Sequence, residues 1–239
     1  MTVPDLPTPE AVRARLEGLR AARGYLLAHH GPLVAAAPDL HDAYLRMYAA
    51  LTLTDRHLDR WEKEFVWLAL LVALREEVGT HHLDLFARAG GTRAQATIAI
   101  RLAGYAAAAD GFAFVAQHWP GWLPGLDAPG DYLEGVRLLC GATVAPAAAD
   151  LALAAVQAAL GRDWGVAAHV RALYAAGVAE EKLTEALSLV IWPVGVNRFL
   201  GACTVWQRLI AAAEVTPSPR FRAWVETAGQ GAFAPAAPR

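Results

Sequence analysis

Two stretches decide how this chain is read: EFVWLALLVALREEVGTHHLDLFARAGGT at residues 64–92 and DLALAAVQAALGRDWGVAAHVRALYAAGV at residues 150–178. Each opens on an acid, runs through a helix-length apolar segment, breaks, reaches a histidine and stops at Ala-Gly. A displacement of 87 positions carries His82 onto His169, Gly90 onto Gly177, Phe112 onto Phe199 and Trp119 onto Trp206. Histidine and tryptophan are rare types, so their coincidence at one offset points to a tandem duplication of one helical unit.

Working outward, every other segment also reads as helix. Thr8-Pro9-Glu10 is a helix start, with a capping hydroxyl and proline at the first position, and predicts a helix to about His30. A second amphipathic helix follows Pro38-Asp39. Thr54 or Asp55 is expected to cap the helix that enters Trp61, and the unbroken apolar run from Phe65 to Leu74 predicts burial on nearly all sides. Thr92-Arg93-Ala94-Gln95 has capping-box form. No segment alternates with period two for long enough to make a strand, so the fold class is all-α. The expected organisation is N-terminal helices packing on the core over 1–60, a first repeat over 61–125, a second over 126–215 and a C-terminal tail over 216–239. The loop at 120–130, rich in Pro, Gly and Trp, separates the repeats and is expected to be largely buried, against the other repeat or a neighbouring subunit.

Composition excludes several classes of function. Twenty-one basic and 23 acidic residues are scattered over 239 positions and leave a net charge of -2, so no basic stripe offers itself to nucleic acid. The longest stretch without Asp, Glu, Lys or Arg, 111–126, is broken by Pro120 and Pro124. A bilayer span takes about 20 apolar residues, so no membrane association is expected. Residues 1–10 lack a basic segment followed by an apolar run, which with only two cysteines, Cys140 and Cys203, reads as a cytoplasmic protein without disulfides.

The acid, the apolar helix, the interruption, the histidine and the Ala-Gly stop together resemble the carboxymuconolactone decarboxylase superfamily, which also contains alkylhydroperoxidase-D type proteins. The resemblance covers roughly residues 40–210 and implies an alkylhydroperoxidase-D-like fold, with two repeats in this chain. Relatives form rings, which implies a homo-oligomer, a trimer first and a dimer next. The peroxidase branch carries a Cys-x-x-Cys pair just before the histidine. Here the region is Arg75-Glu76-Glu77-Val78-Gly79-Thr80-His81, without sulfur, so thiol-based peroxide reduction is rejected. The decarboxylase branch implies proton transfer by histidine and acid with no cofactor and no metal. The spacing from Glu64 to His82 is one residue shorter than the family form, whereas Asp150 to His169 keeps the length and exchanges Glu for Asp.

Glu64 and His82 lie 18 residues apart, about 27 Å along a continuous helix, so they can meet only if the chain reverses between them. Glu76 to Gly79 is the place for that reversal. The candidate catalytic residues are therefore His82, with Glu64 orienting it. Asp150, His169 and Arg198 are candidates for binding the substrate, the arginine through a carboxylate. The second site looks less equipped, because alanines surround His169. His29, His30 and His57 fit no repeated pattern and are left on the surface. Adjacent histidines on a helix point about 100° apart and cannot readily chelate together, so His81-His82 predicts no metal. Two functions stay open: a cofactor-free acid/base enzyme acting on a small unsaturated lactone or keto acid, by decarboxylation or isomerisation, and a non-catalytic helical binding or scaffold protein.

Overall fold

The computed structural model describes residues 6–231, so residues 1–5 of the expected N-terminal segment and 232–239 of the expected tail lie outside the described residues. The described chain is all-helical and divides after Thr54 into two compact units.

The first unit holds α1 (Pro9–Arg23), α2 (His30–Ala36), α3 (Pro38–Tyr48) and a π-helical turn (Ala49–Leu53). Thr8 caps α1 as expected, accepting from the Ala11 amide. The helix stops at Arg23, short of His30, because Gly24 adopts the left-handed conformation and its amide closes on the Arg20 carbonyl. Gly31-Pro32 does not break the chain: it forms the first turn of α2, where proline's missing N–H costs nothing.

The second unit is built around two helical hairpins. In the first, α4 (Arg60–Leu74) is followed by α5 (His81–Arg88). Asp59, not Thr54 or Asp55, caps α4, in a capping box with Glu62. Phe65 to Leu70 are buried on every side, but Val72 is 40% exposed, so the all-round burial ends a turn before the helix does. α6 (Arg93–Tyr105), capped by Thr92 and Gln95, and α7 (Ala108–His118) follow. After α8 (Ala128–Cys140) comes the second hairpin, α9 (Pro146–Leu160) and α10 (Asp163–Ala175), then α11 (Glu180–Ser188), a short α12 (Ile191–Val194), α13 (Val196–Ala211) and α14 (Pro219–Glu226).

α9 is the core. Asp150 and Gln157 are its only strongly polar side chains, and every residue from Ala148 to Ala159 is buried against α4, α6, α10, α11 and α13. Its many alanines let these neighbours approach closely. α4 and α9 have the same length and lie 86 positions apart at both ends, as do the residues that stop them, Arg75 and Gly161, both left-handed. The histidines and the Gly90 and Gly177 stops lie 87 apart. The extra residue of the second stretch therefore falls between the turn and the histidine.

The Trp-rich loop is only partly covered by its own chain, with Trp119 edge-on to Phe114. Trp122 is 83% exposed and Trp119, Leu123 and Leu126 are each about half exposed, because Pro120, Gly121, Pro124 and Gly125 turn the segment in tight steps outside α7 and α8. Within the segment expected as a tail, α14 lays Phe221 and Trp224 on Trp206 of α13.

Candidate functional site

The reversal after α4 is made by Arg75, held at φ 57°, with the Glu76 amide returning to the Leu71 carbonyl. Glu76 accepts from the Val78 amide, and Gly79 lies over Leu71, where a Cβ would come within 2.5 Å of a methyl carbon. α5 then begins antiparallel to the direction in which α4 ended, with His82 and Phe86 inward and Leu83 and Asp84 outward. His82, not His81, therefore takes the inner position.

This fold-back brings His82 Nδ1 to 2.6 Å from Glu64 Oε2, with both side chains buried. The carboxylate accepts from Nδ1–H and leaves the lone pair on Nε2, the tautomer a general base requires. Nε2 has no hydrogen-bond partner among the described residues. The Trp67 indole stacks on the imidazole at 4.5 Å and 17°, a face that favours the protonated ring. Trp67 Nε1 is buried without a partner. Lys63, next to Glu64, turns away to a buried ion pair with Glu185 at 3.0 Å. Glu185 also accepts from the His57 and Leu58 amides, and although burial pushes its carboxyl up, these donors and Lys63 hold it below its usual range.

The second hairpin makes a like contact, His169 Nδ1 to Asp150 Oδ1 at 2.9 Å, but its surroundings are far from apolar. Arg137 of α8 grips Asp150 through both carboxylate oxygens, at 3.1 and 2.6 Å. The Tyr132 hydroxyl stands 3.1 Å from His169 Nε2 and receives Gln157 Nε2 at 3.0 Å, which also donates to the Ala106 carbonyl. Donors and acceptors run in one direction: Gln157 to Tyr132, Tyr132 to His169, His169 to Asp150. The alanines around His169 mislead, since its polar partners come from α8 and α9. Both ring nitrogens are engaged and His169 is fully buried.

Arg198 is exposed and lies against Gly161, where a Cβ would meet its guanidinium. Gly161 is 11 residues beyond Asp150, about 16 Å along α9, so Arg198 does not join the second pair, where the arginine on Asp150 is Arg137. A sequence signal for Arg137 existed: Asp150 is the single charge of an otherwise uncharged helix and has to be paired.

Cys140 is buried and Cys203 half-buried, and burial pushes both thiols up, Cys203 to about 11. Neither has the lowered pKa of a reactive thiol.

Residues 127–208, which run from the start of α8 through most of α13, match the model of the carboxymuconolactone decarboxylase family. The match covers about a third of the chain and includes Asp150, His169, Arg137 and Tyr132, but not Glu64 and His82. No curated protein and no solved structure matches the chain. The all-helical architecture is consistent with an alkylhydroperoxidase-D-like fold, and no single described helix is long and apolar enough to cross a membrane.

Proposed function

We infer that this protein is a cofactor-free acid/base enzyme working at the first hairpin, with His82 as the proton carrier and Glu64 as the residue that orients it. The observation that carries this reading is the buried 2.6 Å contact at Nδ1 combined with an Nε2 that has no hydrogen-bond partner among the described residues. A small unsaturated lactone or keto acid is the fitting substrate class. Loss of carbon dioxide, or a shift of a double bond, sends an electron pair into a conjugated carbonyl, and His82 Nε2 delivers or removes the proton at carbon. We further read the two hairpins as products of one tandem duplication. On that reading the second pair has become a structural node through Tyr132 and Arg137, and Arg198 is free to serve a carboxylate only near Gly161.

The test is proton exchange in deuterated water, together with carbon dioxide release, over a panel of unsaturated lactones and keto acids. His82→Ala should abolish turnover and His169→Ala, where it folds, should not. A panel that gives no exchange with the wild-type protein supports the second reading, a scaffold. The second hairpin favours that alternative, since it shows that an acid–histidine pair in this chain can be wholly occupied by internal partners.

A further inference from the structure

The N-terminal unit contains a histidine cluster that neither the sequence pattern nor the proposed chemistry uses. His30 and His41, from α2 and α3, are fully buried and in contact, Nδ1 of His30 to Nε2 of His41 at 3.0 Å. A guanidinium of α1 closes each end: Arg15 Nη2 lies 3.1 Å from His41 Nδ1, and Arg23 Nη1 lies 3.4 Å from His30 Nε2. The line Arg15, His41, His30, Arg23 thus ties all three helices together through three nitrogen–nitrogen contacts.

Each contact needs one N–H and one lone pair, and guanidinium can only donate. Two neutral imidazoles supply two lone pairs, so two contacts are satisfied at most. Arg15 donates to His41 and His41 donates to His30, which leaves the longest contact, Arg23 to His30, as donor facing donor. One proton added to either ring removes a lone pair, creates a second opposed contact and puts a positive charge between two guanidinium groups away from water.

We propose that this cluster makes the N-terminal unit acid-labile, protonation of the His30–His41 couple breaking the hydrogen-bonded line that joins α1, α2 and α3. The surrounding groups favour the neutral state on balance. Burial lowers His30 first, to about 4, with His29, Arg23 and His41 adding to it. Burial also lowers His41, helped by Arg15, His29 and Arg23 and opposed by Asp42, which is itself ion-paired to Arg15. His29 is lowered as well, by burial and then by Arg23. The remaining facing groups are Tyr25, Tyr44 and Tyr48, and burial raises the last two, so neither of these supplies a negative charge near neutrality.

Because the folded pKa lies below the unfolded one, the unit is most stable above pH 6.5 and loses stability as the pH falls from there to about 4. At pH 5, His30 alone should raise the opening constant roughly thirtyfold. Amide hydrogen exchange on the full chain at pH 7.5 and 5, corrected for intrinsic rates, should show His30–Tyr48 losing protection by about that factor relative to α9. Arg23→Met should shrink the ratio between the two pH values, and a ratio is insensitive to any general weakening the variant causes. Protection of His30–Tyr48 that tracks α9 at both pH values, or a His30 that titrates near 6.5 in the folded protein by NMR, would overturn the proposal.

Discussion

Replacing Tyr132 by phenylalanine tests whether the second acid–histidine pair is a structural node. The ring is fully buried, stacked on Tyr105 at 7° and edge-on to Trp164, and phenylalanine keeps all of these contacts. Only the hydroxyl is lost, and with it the 3.1 Å bond to His169 and the 3.0 Å bond from Gln157. Gln157 retains the Ala106 carbonyl at 2.9 Å for one of its two amide hydrogens, so the groups left without a partner are His169 Nε2 and the other Gln157 N–H. Two bonds at about 1 kcal/mol each, plus part of the cost of a buried unpaired acceptor, give an expected loss of about 2–3 kcal/mol. Urea unfolding should show a lower midpoint with an unchanged slope, since no additional surface is exposed in either state. In a double-mutant cycle with His169→Leu the two changes should couple by at least about 0.5 kcal/mol. A loss below about 0.5 kcal/mol with no coupling would refute the node.

Three more outcomes are expected. Lys63→Met strands the Glu185 carboxylate, buried beside two backbone amides, and should cost about 3–5 kcal/mol in chemical denaturation; a change within 1 kcal/mol would show that the amides alone hold the charge. Gly165→Ala places a Cβ 2.6 Å from the Gln157 side-chain carbonyl carbon and should destabilise by about 1–3 kcal/mol, measured by thermal and urea unfolding, because Gln157 cannot retreat without breaking its bonds to Tyr132 and Ala106. The Cys203 thiol, raised to about 11 by burial, should be protonated and slow to react with a disulfide reagent at pH 8, with both cysteines becoming reactive on unfolding; prompt native-state reaction of Cys203 would contradict the burial argument.

What the sequence made legible was local. The reversal between Glu64 and His82 follows from comparing an 18-residue spacing with helical rise, and the stops at Gly90, Gly161 and Gly177 follow from glycine's access to left-handed backbone. Partners set by tertiary packing were not legible. Tyr132 meets His169 across 37 residues and Arg137 meets Asp150 across 13, separations that no helical period relates. His30 read as a surface residue because it fits no repeated pattern, whereas in the structure it opens α2 and turns the imidazole inward onto His41. For the Trp-rich loop, apolar content argued for burial against the other repeat or a neighbouring subunit, and within its own chain the segment, with four Pro and Gly residues in six positions, stays about half exposed or more at Trp119, Trp122, Leu123 and Leu126.

The contrast between the hairpins bears on which histidine can act. In both, a carboxylate holds Nδ1, so reactivity depends on what meets Nε2 and on whether the carboxylate's charge remains available to an imidazolium. At His169 both conditions fail. Tyr132 donates into Nε2, and Arg137 already balances Asp150 through two charge-assisted bonds, so a proton arriving on the ring would meet a neutralised partner in a dry core. At His82 the ion pairs of the described residues give Glu64 no cation other than the histidine itself, since the neighbouring Lys63 is committed to Glu185. A proton on Nε2 there is matched by an uncompensated charge 2.6 Å from the other nitrogen and by the face of Trp67. If the hairpins descend from one ancestor, the surplus copy was the one free to recruit Arg137 and Tyr132 from α8, exchanging proton transfer for a satisfied core. On the function proposed above, the proton transfer is to be sought in the hairpin that lies outside the family match.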